Sequence, residues 1–515
     1  MEITSFAFLI FLCIGGGIYY VLPKAWQWTE LLIFSLIFYY FAATPYTLIF
    51  IVVSTGMAWV ATNYPFRKSV DGNRETCIAG VLAIIAIFLN AVLWFVLKGS
   101  KLWIPLIQKI GKIMPLEVFN TMPVAASLGM GYYTLQCIGY ILDCRWGTAK
   151  PQKNFAKLFL FLLFFPQLIT GPISRYNDLQ SLYEQHSFDY VKMTFGVQRI
   201  LWGFVKKLVL AERLAIIIGT IWNDLDNYTG YYCLIAMLLF PIQIYADFSG
   251  CMDIVIGTAE IFGIYLKENF KTPFFSRTVQ EFWQRWHITL GSWGKDYILY
   301  PFLKSKCMIN LGKMLRKRFG KKVGKFIPTA IGMFLLWMII SIWHGSFRYV
   351  VGVGLWYWAI LMMGKICEPL LEKISEMLYL SRECFSWHLY QSIRTYIIFA
   401  IGGVFFCASD FEEGISFFKG LMQIFHRQSN IWVIFEGKII EMVGGNFEFR
   451  ILIVSFVLLA VAECLYQKYG SVRKWIAGQG IIFRWMIWIG MIFFVWLFGI
   501  YGSEYDMGEF IYARF

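Results

Sequence analysis

The chain has 515 residues, of which 58% are hydrophobic, 19% aromatic and 15% charged. Water-soluble surfaces are built at roughly a quarter charged residues, so this composition excludes an ordinary soluble domain and makes lipid the solvent. A formal net charge of +14 would suit a nucleic-acid binder, but its placement along the chain points elsewhere.

Apolar runs fall at 3–22, 29–43, 46–62, 78–97, 123–142, 155–171, 196–220, 230–246, 250–265, 327–343, 349–366, 393–409, 450–466 and 482–500. A hydrocarbon core roughly 30 Å thick takes about 20 residues of helix to cross, so the long runs predict spanning helices. The shorter or Gly/Pro-marked runs predict half-helices or re-entrant segments. About eleven spans are expected, in an all-α polytopic membrane protein. The first run lacks a basic lead-in and a small-residue cleavage site, so it is expected to stay as the first helix rather than serve as a secretory signal. Eleven cysteines, an odd number without a C-x-x-C pair, predict core filling rather than a disulfide framework or a zinc site. No internal repeat or linker breaks the chain, and residues 1–515 read as a single membrane domain.

Nine basic residues and no acidic ones lie between Pro301 and Phe326: Lys304, Lys306, Lys313, Arg316, Lys317, Arg318, Lys321, Lys322 and Lys325. Such a loop belongs on the cytoplasmic side, which accounts for much of the charge without nucleic acid; contact with anionic lipid headgroups or an acidic carrier is a secondary reading. Walking outward from it, 327–343 exits, 349–366 returns, 393–409 exits, 450–466 returns and 482–500 exits. The loop then expected outside, 410–449, carries Asp410, Glu412, Glu413, Glu436, Glu441 and Glu448, while the short inner one carries Lys468, Arg473 and Lys474. The walk places the C-terminal end outside the cytoplasmic membrane and leaves the side of the N-terminal half open.

Ionisable groups inside a membrane are costly, so they are the first functional candidates. Of five histidines, His287 and His344 lie in aromatic-rich apolar segments. At helical spacing Trp283, Trp286, His287 and Leu290 share one face, with Gln284 and Arg285 turned away. Spacing alone equally allows core histidines bonded to backbone carbonyls, and two histidines so far apart form no metal motif. Asp247 and Asp253 could pair with Arg285 or Lys295, or cap helix breaks near Gly250. Asn269 and Pro273 are expected to shape the loop entering the histidine helix.

The string FWQRWHITLGSWGKDYILYPF (282–302), followed by IWHG (342–345), resembles the paired-histidine signature of the membrane-bound O-acyltransferase (MBOAT) family. Further blocks, SLGMGYYTLQCIGYILD (127–143), FFPQLITGPISRY (164–176), PIQIYADFSGCMDIVIG (241–257) and ENFKTPFFSR (268–277), are similar to the bacterial branch that acetylates alginate; Gln136 and Arg175 match recurrent positions without an assigned role. The resemblance implies a multi-helix fold around a central tunnel, with an acyl thioester entering from the cytoplasm and an acceptor reached from outside. It implies a catalytic role for His344 as general base, since an imidazole with a pKa of about 6.5 can take a hydroxyl proton and return it to a leaving thiolate. It implies substrate orientation or carbonyl polarisation for His287, and substrate contacts for Trp283, Arg285, Trp286, Asp296 and Trp343. The expected donor is acetyl-CoA or an acyl-carrier thioester, with no bound cofactor and no metal. Where the family usually shows Phe-Arg before the Asp of the first histidine block, this chain has Gly294-Lys295. The aromatic usually found in the Asp-Phe-Ser-Gly block is replaced by Ala246, and the Gln of the terminal motif by Arg514.

The string Phe510-Ile511-Tyr512-Ala513-Arg514-Phe515 reads by itself as an interfacial aromatic anchor. It also resembles the family's terminal acyl-transfer motif, which implies that Tyr512 carries the acyl group as a phenyl ester to an extracytoplasmic hydrolase-like acyltransferase, its phenolate being a good leaving group. The function so implied is O-acetylation of an extracytoplasmic polysaccharide or cell-wall glycan. D-alanyl transfer from a carrier-protein thioester to teichoic acid is the alternative, and a transporter or flippase the second. Membrane lipids, the glycan and the hydrolase-like protein are the expected partners, and nucleic acid is not.

Overall fold

A computed structural model describes residues 1–63, 74–98, 128–379, 381–426, 432 and 437–501. Among these residues all regular structure is helical and there is no strand, the outcome a hydrocarbon solvent demands of any chain that is not a closed barrel. Eight helices are long and apolar enough to cross a membrane: Pro45–Asn63, Ala79–Leu97, Tyr231–Ile261, Lys306–Trp343, Phe347–Met377, Phe385–Cys407, Asn446–Tyr469 and Ile481–Phe498. Phe6–Val21 is apolar but shorter. Large apolar side chains stay exposed along several of these, such as Ile482, Met486 and Trp496 on the last, as lipid-facing helices require.

Polar residues mark the ends. Ser5 and Thr278 accept from the amides of Phe8 and Glu281, Asp410 accepts from Glu413, and glycines in the left-handed region close helices at Gly147 and Gly470. The runs 230–246 and 250–265 do not form two elements: Tyr231–Ile261 is one helix through Gly250, with Pro241 inside it. Nor is 301–326 a loop, since Lys306–Trp343 is helical on both sides of a break at Gly320.

The chain divides into two compact units, the first formed by Met1–Gly203 with Cys251–Lys267 and the second by Phe204–Gly250 with Glu268–Phe515. In the first, the Tyr190–Phe204 helix meets the end of Tyr231–Ile261 at two glycines. A Cβ on Gly196 would lie 2.7 Å from the Gly257 carbonyl, and one on Gly257 would lie 2.6 Å from the Gly196 carbonyl. Small residues that let backbones touch are the usual means of helix association in lipid. Beside this crossing, Arg199 pairs with Asp253 at 2.9 Å and reaches Glu260 at 3.6 Å. The partner of Asp253 within its unit is Arg199, where the sequence suggested Arg285 or Lys295. Gln27 ties down the His186 backbone through its amide at 2.8 Å in both directions, and the Tyr19 hydroxyl bonds His186 Nδ1 at 2.9 Å.

The second unit combines Phe204–Gly250 with the long helices that follow Glu268, and among its described residues are three π-helical stretches, Val205–Ala211, Lys295–Leu299 and Val350–Leu355. Such stretches are rare and concentrate at functional sites, because the extra residue leaves local backbone groups to be satisfied in other ways. Glycines let the third stretch pack closely: a Cβ on Gly352 would lie 2.2 Å from Phe405 Cβ, and one on Gly354 would lie 2.7 Å from Ser341 Oγ.

The glycine crossing of the first unit yields a test. Gly257→Val places its branched side chain against backbone that cannot rotate away, and it is expected to cost about 1–3 kcal/mol, read as a lowered Tm in detergent. Gly17→Val, whose added Cβ meets nothing within 4 Å, serves as the control and stays near wild type. Equal melting of the two variants would refute the backbone contact.

Candidate functional site

The chain reaches His287 through two short helices, Val279–Arg285 and Ile288–Gly294, and not through one. His287 stands between them with φ 46° and ψ 51°, in the left-handed region that a side chain rarely adopts. The expected continuous histidine helix is therefore broken at the histidine itself. The burial pattern read from the spacing is nonetheless present: Trp286, His287 and Leu290 are buried, Trp283 and Arg285 are half-buried and Gln284 is exposed.

Asn269 holds this break in place. Its Oδ1 accepts from the Thr289 amide at 3.1 Å and the Thr289 hydroxyl at 2.9 Å, and it lies 3.2 Å from His287 Nδ1. The Asn269 carbonyl accepts from the Ile288 amide at 3.0 Å, and the Arg285 carbonyl accepts from the Lys271 amide at 2.9 Å. Because the Thr289 amide marks Oδ1 as an acceptor, the bond to His287 calls for the Nδ1–H tautomer, which presents Nε2 as the acceptor nitrogen.

His344 ends the Lys306–Trp343 helix and is 5% exposed, its amide donating to the Ser341 carbonyl at 3.2 Å. Gly345 follows at φ 84°, the turn that stops the helix there. The His344 ring is set among Trp343 at 4.9 Å, Tyr349 at 5.4 Å and Phe406 at 5.8 Å. His287 meets Phe248 edge-on at 5.0 Å. The two imidazoles, 57 residues apart in sequence, lie within Coulombic reach of each other.

The tryptophans preceding His287 are themselves packed among aromatic rings. Trp283 meets Trp337 at 4.9 Å and Tyr357 at 4.7 Å, while Trp286 meets Phe270 at 5.1 Å and Phe399 at 4.9 Å. Arg285 pairs with Glu281 at 2.7 Å and donates to the Thr272 hydroxyl at 3.2 Å, so it is occupied within its own segment rather than with Asp247. Asp296 is half-buried on the Lys295–Leu299 stretch, and Trp343 is half-buried beside His344. Immediately before that stretch, a Cβ on Gly294 would lie 2.5 Å from Leu336 Cδ1, which accounts for a glycine at this position. Tyr512 lies outside the described residues.

Sequence reasoning missed a charged cluster in the same unit. Lys207 bridges Glu212 at 2.6 Å and Asp247 at 2.7 Å, and Lys206 donates to Ser249 at 2.8 Å and lies over the Tyr245 ring. Tyr245 donates to Glu463 at 2.6 Å, and Arg213 pairs with Glu448 at 2.7 Å. The available signal was the pair Lys206-Lys207 inside the apolar run 196–220. Ile500 donates from its amide to the Leu208 carbonyl at 3.0 Å, so the end of the last described helix is fastened to this same π-helical stretch. Among the described residues no group of three or more His, Cys, Asp or Glu side chains converges as metal ligands.

Comparison with known proteins adds three kinds of relative. The sequence profile of the membrane-bound O-acyltransferase family matches residues 76–313. A probable alginate O-acetylase of Pseudomonas syringae is 28% identical over 407 residues, covering 79% of this chain and 72% of its own length. A peptidoglycan O-acetyltransferase of Helicobacter pylori is 23% identical over 427 residues, covering 78% and 74%. A teichoic acid D-alanyltransferase of Bacillus subtilis is 27% identical over 301 residues, covering 58% and 69%.

The Asn269 clamp is testable without a substrate. Asn269→Ala strands the buried Thr289 amide and hydroxyl, a loss of about 1–3 kcal/mol, whereas Thr289→Val removes one donor and costs less. Thermal melts in detergent check the order of the two, and an Asn269→Ala protein as stable as wild type would refute the clamp.

Proposed function

This chain is a member of the membrane-bound O-acyltransferase family, a multi-pass membrane acyltransferase; on that premise we propose that it transfers an acetyl group from acetyl-CoA in the cytoplasm for O-acetylation of an extracytoplasmic polysaccharide or cell-wall glycan. The observation that carries this reading is that His287 and His344, in the same unit, are both buried against aromatic rings and close enough to interact electrostatically. Two relatives named for O-acetylation, of alginate and of peptidoglycan, support acetyl as the group and a glycan as the acceptor.

His344 acts as the general base. It removes the acceptor hydroxyl proton as that oxygen attacks the thioester carbonyl carbon; the C–S bond breaks, and the departing thiolate recovers the proton from the imidazolium. One ester forms and one thiol leaves. The Nδ1–H tautomer of His287 favours orientation of the acceptor hydroxyl through Nε2 over polarisation of the carbonyl, which would need a donor. Trp283, Trp286 and Trp343 supply the wall against which the donor lies, with Arg285 and Asp296 at its polar margin. Burial serves the reaction because water excluded from the site cannot hydrolyse the thioester.

Tyr512 is the first acceptor in this scheme, passing its acetyl ester to a hydrolase-like protein outside the membrane. The fastening of Ile500 to Leu208 starts the remaining chain from the unit that holds both histidines. The protein resides in the cytoplasmic membrane, with 301–326 inside and the C-terminal end outside. D-alanyl transfer from a carrier-protein thioester is the second reading, favoured by the D-alanyltransferase relative.

Purified protein with radiolabelled acetyl-CoA tests the scheme. His344→Ala is expected to lower transfer roughly 100- to 10,000-fold, and wild type is expected to carry base-labile acetyl on Tyr512 that Tyr512→Phe lacks. Transfer surviving in His344→Ala but abolished in His287→Ala would reverse the two roles. Label from a D-alanyl carrier thioester alone would replace acetylation with the second reading.

A further inference from the structure

The nine cations between residues 304 and 325 occupy an ordered hairpin. The chain reverses at Gly320, with φ 87° and ψ 172°, and its two helical arms pack backbone to backbone. A Cβ on Gly324 would lie 2.7 Å from the Arg316 amide nitrogen, and one on Gly312 would lie 3.2 Å from the Gly324 carbonyl and 3.6 Å from Pro328. Positions 316 and 324, like 312 and 328, are spaced symmetrically about Gly320, as antiparallel arms require. With the arms in contact, the cations are turned outward: all nine are exposed, and none is ion-paired among the described residues.

The surface is not purely charged. On the first arm Lys306, Lys313 and Lys317 fall on one stripe of the helix. Ile309 and Met314 flank that stripe, 45% and 58% exposed, and Phe319 at the turn is 56% exposed beneath the Arg318 guanidinium. Cations alternating with exposed apolar side chains match the boundary between headgroups and acyl chains, where each kind finds its own solvent. The second arm continues into the rest of Lys306–Trp343, a helix long and apolar enough to cross a membrane, and a span there would bring the hairpin to the headgroup layer. Charges spread over both arms and the turn suit many small mobile anions better than one rigid acidic face.

We propose that the 304–325 hairpin is a binding surface for anionic phospholipid headgroups, with Ile309, Met314 and Phe319 seated at the acyl boundary. The assignment is independent of the acyl donor and acceptor.

The test uses the full chain in nanodiscs of phosphatidylcholine with or without phosphatidylglycerol, and measures retained lipid by native mass spectrometry. Wild type is expected to retain phosphatidylglycerol in clear preference, and the triple variant Lys313→Gln, Lys317→Gln, Lys321→Gln to lose that preference roughly tenfold or more. High salt is expected to weaken it likewise. Ile309→Ser with Met314→Ser should weaken retention severalfold at unchanged charge. Melting in phosphatidylcholine nanodiscs keeps only variants that fold as wild type does. Equal retention of both lipids by wild type, or an unchanged preference in the triple variant, would overturn the proposal. So would an acidic acyl-carrier protein that binds wild type in neutral nanodiscs and is lost by the triple variant while the lipid preference stands.

Discussion

In hydrocarbon a polar group has no partner except another part of the protein, and this constraint shapes each unit of the chain. Arg199 is satisfied by Asp253 and Glu260 beside a glycine crossing, and Lys207 by Glu212 and Asp247 within one unit. A buried ion pair adds little net stability over an apolar pair of the same shape, but removing one partner leaves a charge that the membrane cannot solvate. Such pairs therefore fix which helices are neighbours more than they strengthen the fold. Packing follows the same logic, since helices with equally apolar surroundings gain from contact only where small residues allow close approach.

The histidine site applies the constraint to strained backbone. A left-handed conformation at His287 costs about 1–3 kcal/mol and persists only where the surroundings over-determine it. The Asn269 side chain and main chain supply that determination, reaching Thr289, Ile288 and His287 from one residue. The break interrupts the helix while the imidazole stays buried, edge-on to Phe248. The same polar group that makes the break possible also selects the ring tautomer, so backbone shape and histidine chemistry are set by one interaction.

What is legible in the sequence is whatever local pattern encodes. Apolar run length specifies an all-helical membrane fold, and the strings around His287 and His344 draw attention to two imidazoles that lie within reach in the structure. The break at His287 is hidden because Trp283, Trp286, His287 and Leu290 keep a helical period across it; burial obeys the period even where the backbone does not. The partners of Asp247 and Asp253 are hidden because ion pairing between helices depends on how the chain returns, and Lys207 and Arg199 lie 40 and 54 residues away by the numbering. Gly320 reads like any loop glycine among cations, yet its positive φ joins two helical arms.

The net charge of +14 then resolves into two populations with different work to do. Arg199, Lys207 and Arg213 are buried or nearly so and matched by carboxylates, so they contribute to connectivity and almost nothing to the field outside. The nine cations of the hairpin are exposed and lack acidic neighbours in sequence, and they carry most of the excess. Exposed charges of one sign repel one another and gain little from the fold, so a tight glycine-bridged hairpin that gathers nine of them gains from an anionic surface beside it. Anionic headgroups, the occupant proposed for the hairpin, would supply that charge without any acidic residue in the protein. The strong basic balance that first suggests nucleic acid is thus concentrated in one hairpin that leads into a helix long and apolar enough to cross a membrane.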